Sequence, residues 1–427
     1  MKTIAFHTLG CKVNQYDSQA MLELFEQAGY EIRDFSQPAD VYVINTCTVT
    51  GTGDKKSLQA VRRVLRQNPA AHVIIAGCLA QRDGEKLLST GARLVIGNAR
   101  RNEVVQLLEE AVENNQQIAA VTDILRTHYE PLTISRHEGH TRAVLKIQEG
   151  CDRYCTYCII PYVRGGIRSR RPEEIRLEAE RLALAGFSEL VLTGIHLTSY
   201  GRDLNGETLL DAIRACDVPG VERIRLGSLE PVIVTEDFVS ALQEEKKVCP
   251  QFHLALQSGS DTVLKRMRRR YTTDEFRRAC RLLRDAFPGC AITTDVMSGF
   301  PGETEEEFMQ SLQFCREIGF ARMHVFPYSA RQGTPAAKMP GQVQKAIREE
   351  RARALIAAGN ELALAFGRDQ IGQVKEVLCE EMVEGLSQGY TREYMLCRFE
   401  GGESGKTYPI RIEGLAGDGL SGRIIAE

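Results

Sequence analysis

Gly150–Gly166 reads G-C-D-R-Y-C-T-Y-C-I-I-P-Y-V-R-G-G. It follows the apolar run Val144–Ile147, which reads as a strand, and it carries Cys151, Cys155 and Cys158 in C-x3-C-x2-C spacing on one short loop. Three thiolates so arranged can hold three irons of a cubane 4Fe–4S cluster. No fourth cysteine follows within reach, so the fourth iron is left for a non-protein ligand. A cluster closed by four thiolates mostly carries electrons, whereas an open iron can bind and reduce a substrate or cosubstrate. Two other readings stand beside this one, a three-thiolate zinc site and a redox disulfide. Zinc sites usually come as C-x2–4-C with a distant second pair or histidine.

Tyr157 places an aromatic ring before the last cysteine. With that residue the loop resembles the signature of the radical S-adenosylmethionine (SAM) superfamily. The continuation I-I-P-Y-V-R-G-G resembles the methylthiotransferase family within it.

Composition sets the frame. A chain of 427 residues predicts two to four domains. No run of 18 apolar residues occurs, and M-K-T-I-A-F-H lacks the apolar core of a signal peptide, which predicts a cytoplasmic protein with no membrane partner. Thirteen cysteines in such a chain argue for metal or catalysis over disulfides. The net charge of −3 excludes recognition of nucleic acid by bulk charge, so any RNA contact must come from local basic patches.

Residues 1–115 alternate short apolar runs with helical patterns, which predicts a parallel α/β sheet domain. Cys11, Cys47 and Cys78 each follow a predicted strand. Parallel strands end on one edge, where ligands bind, so topology can bring the three together. Topology alone leaves open that they are small buried hydrophobes. The strings T-L-G-C-K-V-N-Q-Y-D-S (Thr8–Ser18), N-T-C-T-V-T (Asn45–Thr50) and A-G-C-L-A-Q-R (Ala76–Arg82) resemble the N-terminal domain of the methylthiotransferases. The resemblance implies that Cys11, Cys47 and Cys78 hold an auxiliary 4Fe–4S cluster. Gly51–Ser57 fails the G-x4-G-K-[ST] phosphate-loop pattern and reads as a loop opening a helix.

Residues 116–140 read as a linker, with His128, His137 and His140 too irregularly spaced to favour a metal site over a solvated loop. Residues 141–367 show six strand–helix units, which predicts a partial (β/α)6 barrel with its site at the carboxyl ends of the strands. Six strings of small and polar residues fall at those ends, among them T-G-I-H (Thr193–His196), G-S-L-E-P (Gly227–Pro231), Q-S-G-S (Gln257–Ser260) and S-G-F-P-G-E-T (Ser298–Thr304). Resemblance to radical SAM enzymes implies that they divide SAM among them. Its methionyl group would chelate the open iron, with Thr193 and Gly194 facing the amine. Ser228 and Glu230 would meet the ribose or methionyl part, with Gln257 a polar contact nearby. Met297 and Gly299, with the backbone around Tyr157, would form the adenine site. Glu230 and Gln257 read equally as ordinary polar residues at strand ends.

Between Arg142 and Arg171 seven basic residues face two acidic ones, and Lys265–Arg270 holds five basic residues in six. Such patches suit an RNA backbone. Within the first, Arg164 and Arg168 are candidate substrate contacts. Residues 368–427 turn to short alternating runs rich in glycine and predict a small antiparallel β-barrel. In position and size it resembles the TRAM domain, but it carries seven Lys/Arg against eleven Asp/Glu, a poor balance for binding phosphate.

The T-L-G-C-K-V-N variant resembles the branch of the family that acts on N6-threonylcarbamoyladenosine at position 37 of tRNA. The resemblance implies an enzyme that adds a methylthio group to adenine C2 with SAM and two 4Fe–4S clusters. Its implied partners are a tRNA anticodon stem–loop and an electron donor such as a flavodoxin or ferredoxin. Other readings are a related branch acting on isopentenyladenosine in tRNA or on a ribosomal-protein aspartate, and a non-catalytic metal-bearing RNA-binding protein.

Overall fold

The computed structural model describes residues 2–137 and 141–425. Its first sheet is built from β1 (Thr3–Thr8), β2 (Glu31–Arg33), β3 (Val41–Thr46), β4 (His72–Gly77), β5 (Leu94–Ile96) and β6 (Ile118–Ala120). All neighbours are parallel, in the order β2-β1-β3-β4-β5-β6. Helices α1 (Lys12–Gln27), α2 (Gly51–Gln67), α3 (Cys78–Asp83) and α4 (Val104–Glu113) cover it. Met21 and Phe25 of α1 pack with Leu107 and Leu108 of α4 on one face. Val61 and Val64 of α2 pack with Leu79 of α3 on the other. Strands buried on both faces account for near-continuous apolar runs such as V-Y-V-I-N-T.

The segment read as a linker is largely incorporated. Ile118–Ala120 supplies the sixth strand, and Leu132 and Ile134 enter the main core. His137 is buried and its Nδ1 accepts a hydrogen bond from the Val144 amide at 3.2 Å. His140 lies outside the described residues. A sequence pattern without periodicity hid this packing, because an irregular strap needs no period.

The central strands are β7 (Arg142–Glu149), β8 (Arg168–Ser169), β9 (Glu189–Gly194), β10 (Arg223–Leu226), β11 (Ser228–Leu229), β12 (Gln251–Leu254), β13 (Ala291–Ser298) and β14 (Arg322–Pro327). They run parallel as β7-β9-β10 and β11-β12-β13-β14, and β10 and β11 are two pieces of one strand interrupted at Gly227. This is the expected arc of six β/α units. The short β8 is an antiparallel addition beside β7. Alternation along β10 sends Ile224 and Leu226 to the helix-covered core, which leaves Arg223 and Arg225 on the opposite, inner face of the arc. Tyr16 and Ala20 of α1 share the arc's apolar core, so the first sheet is built onto the barrel.

The chain ends in a closed barrel of β15 (Val374–Val383), β16 (Leu386–Thr391), β17 (Leu396–Phe399), β18 (Thr407–Ala416) and β19 (Gly419–Ile424). Four of its five pairings are antiparallel; β17 and β19 pair parallel. It sits on the first residues of the central strands: Arg142 pairs with Glu380 at 2.6 Å and Arg223 with Glu376 at 2.8 Å. No helix among the described residues is long and apolar enough to cross a membrane.

Candidate active site

β1, β3 and β4 are adjacent strands, and their carboxyl ends deliver Cys11, Cys47 and Cys78 to one edge. Cys11 caps α1 and Cys78 opens α3. All three thiols lie within electrostatic reach of one another. Gly10 makes the approach possible. Its φ is +109°, and a Cβ there would stand 2.9 Å from the Cβ of Cys47. Side chains inside the cysteine strings lock the loops together. Asn14 donates to the carbonyls of Leu9 and Thr46 at 2.7 and 3.0 Å. Asn45 donates back to the Asn14 carbonyl and to the Ser18 hydroxyl, both at 3.0 Å.

Gly51–Ser57 is the opening of α2 itself, with Thr50 as its cap. Thr48 and Asp54 there, together with Arg82 of α3, form a network that reaches the central barrel. Arg331, on the loop after β14, donates to Thr48 at 2.8 Å and to Asp54. The edge bearing the first cysteine trio is therefore clamped onto the rim of the barrel.

The second trio comes from a loop closed at its base by Gly150. With φ at +72°, a Cβ on Gly150 would fall 1.8 Å from the Gly166 carbonyl oxygen, so only glycine lets the loop's two ends touch. Cys151, Cys155 and Cys158 are electrostatic neighbours. Arg269 donates to the Cys155 sulfur at 3.4 Å and the Arg153 amide to that of Cys151 at 3.4 Å. Burial pushes the Cys47 and Cys151 thiols up to about 11 and the Cys158 thiol up to about 12. Each must shed a proton to bind iron, which couples loading to pH.

The two trios face each other across one short helix, α5 (Ile160–Arg164). Cys78 packs against Ile159, the neighbour of Cys158, and against Val163. Arg164 at the end of α5 points Nε at the Cys78 sulfur, 3.1 Å away, and Asn98 approaches the same atom at 3.6 Å. Among the described residues no three of His, Cys, Asp or Glu are gathered tightly enough to hold one ion together. A cubane asks less, since each of its irons takes a single thiolate. The donor sets are soft sulfurs, with N–H groups aimed at Cys78, Cys151 and Cys155, and they fit such clusters.

Arg164 and Arg168 do not offer their guanidinium groups to solvent. Arg164 is 1% exposed, and its Nη1 pairs with Glu149 at 2.8 Å and Asp17 at 3.4 Å. Lys146 and Arg101 complete a buried ionic cluster with these two carboxylates. Arg168 is buried and donates to the carbonyls of Arg164 and Gly166. Of the seven basic residues between Arg142 and Arg171, only Arg171 lies exposed; the first six serve internal contacts. Lys146 and Arg164 of these six join the two sheets through Asp17, and the others serve contacts elsewhere inside the protein, which charge counting cannot tell from a surface patch. Lys265–Arg270 divides: Lys265, Arg268 and Arg270 are exposed, whereas Arg266 pairs with Glu307 and Arg269 with Glu230.

The residues expected around SAM fall at the mouth of the arc. Thr193 and Gly194 end β9 and form no turn; the space where Gly194 lacks a side chain is filled by Gln148, 2.8 Å away. Ser228 is exposed at the start of β11. Glu230 is buried and meets Arg153 at 3.1 Å, His196 at 3.1 Å and Arg269 at 2.9 Å. Burial alone would raise its carboxyl, but His196, Arg269 and Arg153 outweigh it and hold the carboxyl at about 2. Gln257 adopts φ +67°, and its buried Oε1 has no hydrogen-bond partner among the described residues. An orphaned buried acceptor just past the end of β12, bridged to β13, fits a site for a polar ligand. Met297 and Tyr157 join one apolar cluster with Phe300. Gly299, at φ +69°, donates its amide to Glu303 at 2.8 Å, and Arg348 fills the space where its side chain would be. Sequence reading passed over Asn14, Asp17, Asn98 and Lys12. Three of these lie within the quoted Thr8–Ser18 string, where their spacing from Cys11 was the available signal.

A partial barrel with a three-cysteine loop at its mouth defines a radical SAM enzyme. Residues 145–315 match the radical SAM superfamily, and residues 3–97 match a family described as "Uncharacterized protein family UPF0004". The solved structure of the radical SAM methyltransferase TsrM from Kitasatospora setae, with cobalamin and a [4Fe-4S] cluster bound, shares the fold at a TM-score of 0.58. That match has 13% identity and covers 91% of this chain and 80% of the other. The threonylcarbamoyladenosine tRNA methylthiotransferase MtaB of Bacillus subtilis (strain 168) is 45% identical, over 96% of this chain and 94% of its own. The tRNA-2-methylthio-N(6)-dimethylallyladenosine synthase of Pelotomaculum thermopropionicum is 36% identical over 97% and 96%. The chain belongs to the methylthiotransferase family of radical SAM enzymes. SAM and 4Fe–4S clusters are the cofactors of that family.

Proposed function

We propose that this enzyme adds a methylthio group to C2 of N6-threonylcarbamoyladenosine at position 37 of tRNA. The observation that carries the reading is the juxtaposition of the two cysteine trios, with Cys78 packed on the residue next to Cys158. The 45% identity to a relative named for this nucleoside supports the choice of substrate. Cys151, Cys155 and Cys158 would hold the cluster that binds SAM, and Cys11, Cys47 and Cys78 an auxiliary cluster. When bound, SAM and the clusters supply the radical chemistry and the methylthio group, which side chains cannot.

The protein's own part is positional. Arg269, Arg153 and the Gly150 closure fix the second trio. Gln257 and Glu230 present polar groups at the mouth of the arc, and Met297 with Tyr157 offers an apolar wall for a base. Arg164 and Asn98 direct N–H groups at Cys78 and keep water from its buried side. The anticodon stem–loop would approach the exposed side of Cys11. An electron donor such as a flavodoxin or ferredoxin would serve the Cys151 side.

The test is nucleoside analysis of tRNA from cells lacking the gene and from cells complemented with it. The 2-methylthio form of threonylcarbamoyladenosine should vanish and return. Loss of the dimethylallyl product instead would reassign the substrate, and unchanged tRNA would overturn the reading.

A further inference from the structure

Lys12 is the first residue of α1, directly after Cys11. Its side chain is solvent-accessible, yet it is walled in by several separate parts of the chain. Arg142 from the start of β7, Arg225 from β10, Tyr394 from the turn between β16 and β17 and His324 of β14 lie within electrostatic reach of it, as does the Glu189 carboxylate of β9. Tyr394 is held in a left-handed backbone conformation, φ +66°, uncommon for a bulky residue and a mark of functional constraint. It stacks on Tyr390 with ring centres 4.6 Å apart. The Arg142 and Arg225 guanidinium groups lie against its ring at 5.0 and 4.7 Å.

The charges do not cancel. Arg142 is matched by Glu380 at 2.6 Å, and Glu189 is taken up by Arg225 at 2.7 Å and Arg223 at 3.6 Å. Lys12 has neither a hydrogen bond nor an ion pair among the described residues. One ammonium is thus left over in a recess, beside the trio at which the new carbon–sulfur bond is expected. An unmatched cation in a confined space is a site for an anion.

Resting on the substrate proposed above, we infer that Lys12, backed by Arg142 and Tyr394, is the subsite that binds the carboxylate of the threonylcarbamoyl group. Adenine C6, which carries N6, and C2 both flank N1. A substituent on N6 that lies toward N1 reaches the space next to C2, so the cation that reads it belongs beside the reacting edge. A dimethylallyl group has no charge to offer, and the same recess would strip water from Lys12 without compensation. Lys12 is then a specificity residue that selects an acidic nucleoside over a neutral one.

The experiment uses the reconstituted full-length enzyme and three anticodon stem–loops. One carries threonylcarbamoyladenosine, one its primary amide, and one N6-dimethylallyladenosine. Binding is read by fluorescence anisotropy at fixed salt, and KM and kcat are measured alongside. The wild type should bind the acid about ten- to a hundredfold more tightly than the amide, the size of one charged hydrogen bond in a recess. Lys12→Gln should lose that preference through KM, with its iron content unchanged, and Lys12→Arg should restore most of it. Lys12→Gln that still prefers the acid as strongly as the wild type overturns the inference, whether or not its turnover has fallen. A wild type that treats the acid and dimethylallyl stem–loops alike overturns the substrate reading itself, which separates the two failures.

Discussion

The two cysteine trios are assembled by opposite routes. Cys151, Cys155 and Cys158 occupy eight consecutive residues, and their geometry depends on a loop whose ends touch at Gly150 and Gly166. Cys11, Cys47 and Cys78 span most of the first sheet and meet only because β1, β3 and β4 are neighbours. The first arrangement is written in spacing and the second in topology. A loop site depends on its own few residues, whereas an edge site depends on everything that keeps three strands in register.

The broadest test of that contrast removes one ligand at a time. Cys151→Ala should lose one cluster, about four of eight irons, and all SAM cleavage. Cys11→Ala should lose the other cluster and methylthiolation while keeping some SAM cleavage. Iron analysis and release of 5′-deoxyadenosine measure both. Equal iron in the variants and the wild type would break the comparison.

Arg164→Gln comes next. It strips Glu149 and Asp17 of a shared buried partner and Cys78 of a donor, and it should destabilise the fold by about 3–5 kcal/mol. Arg164→Lys should recover little, because a point charge cannot serve three directions at once. Thermal unfolding of both variants checks this.

The glycines sharpen the contrast further. Gly150→Ala drives a Cβ into backbone, 1.8 Å from the Gly166 oxygen, whereas Gly10→Ala meets the Cys47 side chain at 2.9 Å. Both also carry strain from positive φ, about 1–3 kcal/mol. Gly150→Ala should empty the loop site, while Gly10→Ala should reduce iron at the edge site only in part, as seen by iron content and EPR.

At neutral pH the last effect is silent, because it is one of acid. Glu230, which steadies the arginines of the loop site, is held at about 2 against an ordinary value near 4.5. A depressed carboxyl contributes stability that is complete above about pH 4.5 and is lost as the pH falls toward 2. Integrated, the effect is on the order of 3 kcal/mol. Acid titration of Glu230→Gln should show a shallower loss over that window than the wild type.

The fold was open to sequence reading where periodicity or punctuation marked it. Alternating apolar runs and helical patterns marked residues 1–115 as a parallel α/β domain and residues 141–367 as six strand–helix units, and both stand in the structure. Glu31–Arg33, Ile118–Ala120 and Leu386–Thr391 escaped, being short or mixed in polarity and ordered by their neighbours. The convergence of Cys11, Cys47 and Cys78 on one sheet edge was legible because each follows a strand of one parallel sheet. The arginines were not. A guanidinium buried against Cys78 and one waving in solvent have the same letter, and only the fold decides between them.

The ionic cluster of Asp17, Arg101, Lys146, Glu149 and Arg164 also governs portability. Two members belong to the first sheet and its helices, and three to the barrel. Grafting the first sheet from a cousin would orphan a charge in the dry seam unless all five letters travelled as a set, at a cost of several kcal/mol. Chimeras cut through that seam should therefore fail unless they import it whole.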